Sequence, residues 1–234
     1  MFRLKDVLYW LMGLGVVALG GLLLATHLHD RRERREIESS HHEVDELRRA
    51  CEDDVALLGA DVRRHAPLDD LGELLDEAWR GARDLEAKAR DLVRSASSPH
   101  HFELVTSHLA DARQCLAEVQ ALVLDDTAPG PRPACFFNPN HGPADADAEW
   151  PVATGTVTLP CCVADAHRIN SGAEPYARTW RQGDDRVPWW LAGQAVKPWA
   201  LGWFGRWRGT PHWTAMEQVA EVLVTHEHSD HAAA

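Results

Sequence analysis

At 234 residues the chain has room for one or two small domains with additional segments. Its 36 acidic against 24 basic side chains leave a formal charge of -12, which excludes nucleic acid as a partner because phosphate contacts need clustered Lys and Arg. Five cysteines at irregular spacings (Cys51, Cys115, Cys135, Cys161 and Cys162) do not read as a disulfide framework.

Residues 7–26, VLYWLMGLGVVALGGLLLAT, carry no charge, and twenty helical residues span ~30 Å, the thickness of a bilayer's hydrocarbon core. This predicts a transmembrane helix over 7–26. The competing reading is a cleaved signal peptide, for which LLLATHLHD is a poor A-x-A match. Arg31, Arg32, Arg34 and Arg35 follow the segment, whereas only Arg3 and Lys5 precede it. Excess Lys and Arg stay cytoplasmic, so the expectation is a single-pass protein of the cell membrane, its C-terminal bulk inside and the lipid bilayer as one partner.

Residues 31–125 read as an antiparallel helical bundle or coiled coil. Leu71, Leu75, Ala78, Ala82, Leu85, Ala89 and Leu92 recur at steps of three and four over 69–95, as do Phe102, Val105, Leu109, Ala112, Leu116, Val119 and Val123 over 99–124. A third seam runs through Val44, Leu47, Cys51, Val55, Leu58 and Val62. Pro67 with Asp69 opens the second helix, and Ser98 with Pro99 supplies an N-cap and first-turn pair for the third. Short connections make neighbours antiparallel. Cys51 and Cys115 fall on or near the seams and read as buried thiols, and the charged residues read as a solvated face. Such a bundle is a spacer or a surface for a protein partner.

After the proline-rich break at 125–133, residues 133–190 read as a small Cys/His module. PACFFNPNHGP places Cys135 and His141 on either side of a tight turn. AEWPVA and TVTL, with Gly155 between them, predict a β-hairpin, and PCCVADAHRINSG predicts a short helix that begins after Pro160 and stops at Gly172. Knuckle, hairpin and helix is the element order of a treble-clef zinc module. Cys135, His141, Cys162 and Asp165 are the expected ligands of one structural zinc, with His167 or Cys161 as substitutes for Asp165. Bound zinc would supply folding energy to a region short of core. The metal-free alternative makes Cys135 a packed thiol beside Phe136 and Phe137, with His141 fixing the turn.

The run PACFFNPNHGP, Trp150, PCCVADAHRINSGAEP and RVPWW resembles a group of uncharacterised membrane-anchored actinobacterial proteins with a CFF-[DN]-P-x-HGP segment. The resemblance covers roughly residues 70–190 and implies a shared module without an activity. Where that pattern carries a second cysteine three positions after the first, this chain has Asp165.

Residues 191–234 read as a Trp-rich and His-rich tail. Seven of the ten tryptophans lie in 180–213, with Lys197, Arg206 and Arg208 alongside. Two readings stand: a face that lies in the headgroup plane of a membrane, or aromatics that cover the small module as its core. At the end, VLVTHEHSDH resembles the H-x-H-x-D-H metal-binding loop of metallo-β-lactamase-fold hydrolases, with His226, His228, Asp230 and His231 in the matching places. No repeated strands of the kind that fold requires accompany it.

The expected fold is thus mainly α: an N-terminal transmembrane helix, a helical bundle, a small α+β treble-clef-like module and a Trp-rich tail. The expected function is a membrane-anchored interaction or scaffold protein without catalytic activity. A metal-dependent hydrolase using the tail or the module is the alternative, and redox work by adjacent Cys161 and Cys162 a third.

Overall fold

The computed structural model describes residues 42–66, 73–124, 130–182 and 184–224. Two compact units divide at Asp45, and the second, Glu46–Ala234, holds the architecture described below. Among the described residues no helix is long and apolar enough to cross a membrane, which overturns the expected single-pass cell-membrane location. The long helices Glu73–Ser95 and Pro99–Val123 carry Asp, Glu and Arg along their lengths, a pattern for one buried stripe and not for a lipid-facing cylinder. The expected transmembrane segment, 7–26, lies outside the described residues, as do Pro67 with Asp69.

The chain is mainly helical, with two small two-stranded sheets. Three helices form the first layer: α1 over 42–64, α2 (Glu73–Ser95) and α3 (Pro99–Val123). On α1 the seam residues Leu47, Cys51, Val55, Leu58 and Val62 are buried, and on α3 so are Phe102, Val105, Leu109, Ala112, Leu116 and Val119. Val123, the last of the expected α3 seam, is 62% exposed. Ser98 occupies the N-cap position of α3, followed by proline in the first turn, although its side chain makes no capping bond. Trp79 Nε1 donates to the Val62 carbonyl, and Arg48 donates to the Val93 and Ala96 carbonyls at the end of α2. These pairings run in opposite chain directions, so α1 and α2 are antiparallel.

On α2 the buried stripe departs from the expected one. Leu75, Ala82 and Ala89 are inside, but then Glu86 and Val93 take the places expected for Leu85 and Leu92. A helix of 3.6 residues per turn drifts from a strict 3.5 repeat, and the stripe slides by one position. Glu86 is tolerated there because Arg90, one turn on, pairs with it. Cys51 is buried as expected, whereas Cys115 is only half-buried.

Behind this layer lies the Cys/His segment. The hairpin pairs β1 (Ala146–Val152) with β2 (Gly155–Cys161) in register from Ala146↔Cys161 to Val152↔Gly155. Helix α4 (Val163–Asn170) follows at once. It ends as the sequence indicates: Gly172 adopts φ +78°, and the Gly172 and Ala173 N–H groups return to the Ile169 and Arg168 carbonyls, a Schellman closure.

A second ribbon, β3 (Thr179–Gln182) with β4 (Asp185–Pro188), leads into short helices α5 (Lys197–Phe204) and α6 (Pro211–Glu217). The stretch expected to be a tail contributes buried core residues as far as Leu223. Trp189, Trp199, Trp203 and Phe204 are fully buried, and Trp189 stacks on Phe204 with ring centroids 5.2 Å apart. Helix α5 lies against α3 so closely that a Cβ at Gly202 would sit 2.1 Å from the Glu103 carbonyl. Thr106 Oγ1 donates to the Trp199 carbonyl across that contact at 2.9 Å. The headgroup-plane reading of these tryptophans is therefore corrected: the indoles are the shared core of bundle and module, and the neighbouring Arg206 pairs with Asp111 of α3. The expected module and Trp-rich segment fall in the same compact unit, Glu46–Ala234, as most of the bundle.

Candidate metal centre

The loop that begins PACFF closes on itself. The Cys135 N–H donates to the Gly142 carbonyl at 2.9 Å, and Ala144 N–H to Pro133 at 2.8 Å. Between them Pro139–His141 form one 3-10 turn, capped by the Asn138 side chain, which accepts from the Asn140 N–H at 3.1 Å. Gly142 leaves the turn at φ +95°, a backbone angle that favours glycine. Cys135 and His141 thus project from one tight knuckle.

Two backbone bonds fix the knuckle against the rest of the fold: Phe136 N–H donates to Pro160 of β2, and Arg178 N–H donates to Phe137. The first holds the knuckle beside the end of the hairpin, where the chain turns into α4. There Cys162 is the N-cap residue, its sulfur accepting from the Asp165 N–H at 3.4 Å. Asp145 reaches across to accept from the Val163 N–H at 2.7 Å. Asp165, in the first turn, is completely buried.

The structure brings together all four expected side chains: the ligand atoms of Cys135, His141, Cys162 and Asp165 lie within 4.8 Å of one another. Asp165 Oδ2 is central, 3.3 Å from Cys135 Sγ, 3.0 Å from His141 Nδ1 and 3.4 Å from Cys162 Sγ. Cys162 Sγ is also 3.4 Å from His141 Nδ1. A zinc tetrahedron with bonds of about 2.0–2.3 Å has edges of roughly 3.3–3.8 Å, so these spacings are close to those a bound ion would impose. The other Asp165 oxygen accepts from the Tyr176 N–H at 2.8 Å, which orients the carboxylate. Cys135 and Asp165 are sealed inside, while the His141 side chain, 27% exposed, marks the solvent edge.

The substitutes considered for Asp165 are not part of the cluster. Cys161 is buried on β2, its thiol pushed up to about 12 by burial and then by Cys162 and Asp165, and His167 faces solvent on α4.

Electrostatics inside the cluster favour a thiolate. Hydrogen bonding from Cys135 lowers the Cys162 thiol to about 5 against the opposing effect of burial, helped by His141 and the Asp165 N–H. The same bond, with burial, pushes Cys135 far above the usual thiol range, so Cys135 keeps its proton and Cys162 is the thiolate of the pair. Burial works against the charged form of His141, yet Cys162 and Asp165 outweigh it and raise its pKa. Two sulfurs, one imidazole and one carboxylate holding a few protons in one cluster are the groups that release protons to a divalent cation.

Behind the knuckle stands a buried polar network that sequence reasoning missed. Asp54 of α1, fully buried, accepts from Asn140 Nδ2 and from Trp199 Nε1, both at 2.7 Å. Arg178 Nε lies 3.0 Å from Asp54 Oδ1, an ion pair whose N–H is not aligned for a hydrogen bond, and its Nη2 donates to the Ala50 carbonyl at 3.1 Å. Asn140 directly precedes His141, so this network ties the knuckle to α1 and α5. Asp54 follows Leu47 and Cys51 and precedes Leu58 on the apolar stripe of α1, the one signal that could have exposed it.

No family model, no curated protein and no solved structure matches the chain.

Proposed function

We propose that the protein is a non-catalytic interaction protein whose Cys/His module is held by one structural zinc on Cys135, His141, Cys162 and Asp165. The observation that carries this reading is the convergence of four protein donors within 4.8 Å. Four protein ligands fill a tetrahedron, the arrangement of structural zinc sites, whereas catalytic sites keep a position for water. The order of knuckle, hairpin and helix, with two donors on the first and two on the last, supports a treble-clef-like description of the module. Its zinc would join the knuckle to α4 while the Asp54 network joins the knuckle to the helices, which then serve as the surface for a protein partner.

The hydrolase reading draws on one observation, a cleft of about 590 Å³ beside the centre, lined by His141, Asn140, Arg113, Asp61 and His65 among others. It needs one ligand to give way to water. The HEHSDH segment it would otherwise use lies outside the described residues. Stripping the full chain with a chelator and adding zinc back distinguishes the readings. A structural site shows cooperative loss of fold on stripping and recovery at one equivalent, with no ester or amide hydrolysis by the zinc-loaded chain. A stripped chain that keeps its fold, or turnover that follows the metal, sinks the proposal.

A further inference from the structure

The chain is acidic, yet four arginines meet at one place on it. Arg49 of α1 and Arg178, Arg181 and Arg186 of the ribbon segment line a cleft of about 240 Å³, together with Glu46 and Asp53. With Asp54, the partner of Arg178, counted beside Glu46 and Asp53, four positive side chains still face three negative ones, so this cleft is net positive in a molecule of formal charge -12. Its volume lies below the ~300–1,000 Å³ typical of sites for whole drug-sized ligands, which suits a small charged group.

The ribbon register adds an independent observation. Arg181 and Arg186 are direct cross-strand partners, and both are exposed. Like charges directly opposite on a two-stranded ribbon repel and weaken the pairing. Neither is relieved by an acid: Arg186 donates only to Thr179 Oγ1, at 3.3 Å, and Arg49 and Arg181 have no hydrogen bond or ion pair among the described residues. Arg178 is committed to Asp54 and Ala50, with Asp53 at 3.9 Å, so it is a fixed wall of the cleft. Guanidinium groups present planar, paired donors that match phosphate oxygens.

We propose that this cleft binds a phosphate group, as inorganic phosphate or a small phosphomonoester, held by Arg49, Arg181 and Arg186 with Arg178 as the positioned wall. The anion would neutralise the facing pair that the fold otherwise leaves in repulsion.

Calorimetric titration of the full chain tests this with inorganic phosphate and O-phosphoserine, against chloride at matched ionic strength. Saturable binding of one phosphate group per chain is expected, weakened at least tenfold in Arg181→Ser and in Arg186→Glu. Tighter binding of phosphoserine than of phosphate marks an ester as the ligand, and equal binding marks the free anion; both support the site. Arg186→Glu also has a readout in phosphate-free buffer. It turns a cross-strand repulsion into an attraction, so its Tm rises while its response to phosphate disappears. A phosphate response matched by chloride, or one that Arg186→Glu leaves intact, overturns the proposal.

Discussion

Replacing Asp54 by alanine removes one carboxylate, leaves the Asn140 and Trp199 donors without their acceptor, and takes from Arg178 its nearest counter-charge while its bond to the Ala50 carbonyl stays. Breaking a buried ion pair by deleting one partner costs about 3–5 kcal/mol. An orphaned buried donor costs roughly 1–3 kcal/mol, reduced where water can enter the space left behind. Because these losses share one cavity they do not add, and a total of about 4 kcal/mol is expected. That is a large part of the ~5–15 kcal/mol that holds a typical domain folded. Asp54→Asn keeps an acceptor but leaves the Arg178 charge unbalanced, so about half that loss is expected. Urea unfolding of the zinc-loaded full chain measures both.

The same substitutions reach the centre through Asn140, and zinc affinity should fall about tenfold, the lower end of the range for outer-sphere partners. A pH series adds a sign. Burial, opposed by Arg178 and the two hydrogen bonds, holds the Asp54 carboxyl above its usual range. The folded chain therefore binds this proton more tightly than the unfolded one. Relative to Asp54→Asn, the wild type should gain stability as pH falls from the raised folded value toward the unfolded carboxylate value of about 4. If Asp54→Ala unfolds within about 1 kcal/mol of wild type and binds zinc equally well, the network is not the clamp described.

Gly202→Ala should be costly although it adds a single methyl group. The new Cβ would lie 2.0 Å from Thr106 Oγ1 and 2.1 Å from the Glu103 backbone oxygen, so α5 must lift from α3 and the Thr106–Trp199 bond is strained. Overpacking and a weakened hydrogen bond together predict a loss of about 3 kcal/mol in denaturant unfolding, and a loss below ~1 kcal/mol contradicts the packing. The adjacent cysteines should behave oppositely in elemental analysis. Cys162→Ser should lower the zinc content of the purified chain sharply, while Cys161→Ser, which lies outside the cluster, should keep wild-type stoichiometry. Equal losses in both would mean that the ligand set is wrong.

What the sequence made legible is what periodicity and special residues encode. The α1 and α3 seams, the hairpin around Gly155 and the α4 stop at Gly172 follow from apolar spacing and glycine conformation. The proximity of Cys135, His141, Cys162 and Asp165 could be read because each pair sits within one local element, a knuckle or a helix start, and a hairpin links the two. Long-range polar pairing left no such trace. Asp54, Arg178 and Asn140 meet across 86 to 145 residues of chain together with Trp199, and apart from the place of Asp54 on the apolar stripe of α1 nothing local distinguishes them from surface residues. Glu86 and Arg113 are likewise buried on helices whose charges read as a solvated face. The tryptophans were ambiguous for a physical reason: an amphipathic ring suits both a lipid interface and a protein core, and only the partners of each ring decide. Here the partners are Phe136, Phe204 and other indoles.

The most direct test of the central claim is X-ray absorption at the zinc edge on the full-length chain, calibrated by elemental analysis. The account predicts one zinc per chain with two sulfur scatterers at about 2.3 Å and two nitrogen or oxygen scatterers at about 2.0–2.2 Å. A folded chain purified without stoichiometric metal, or a zinc shell lacking the two sulfurs, would contradict it.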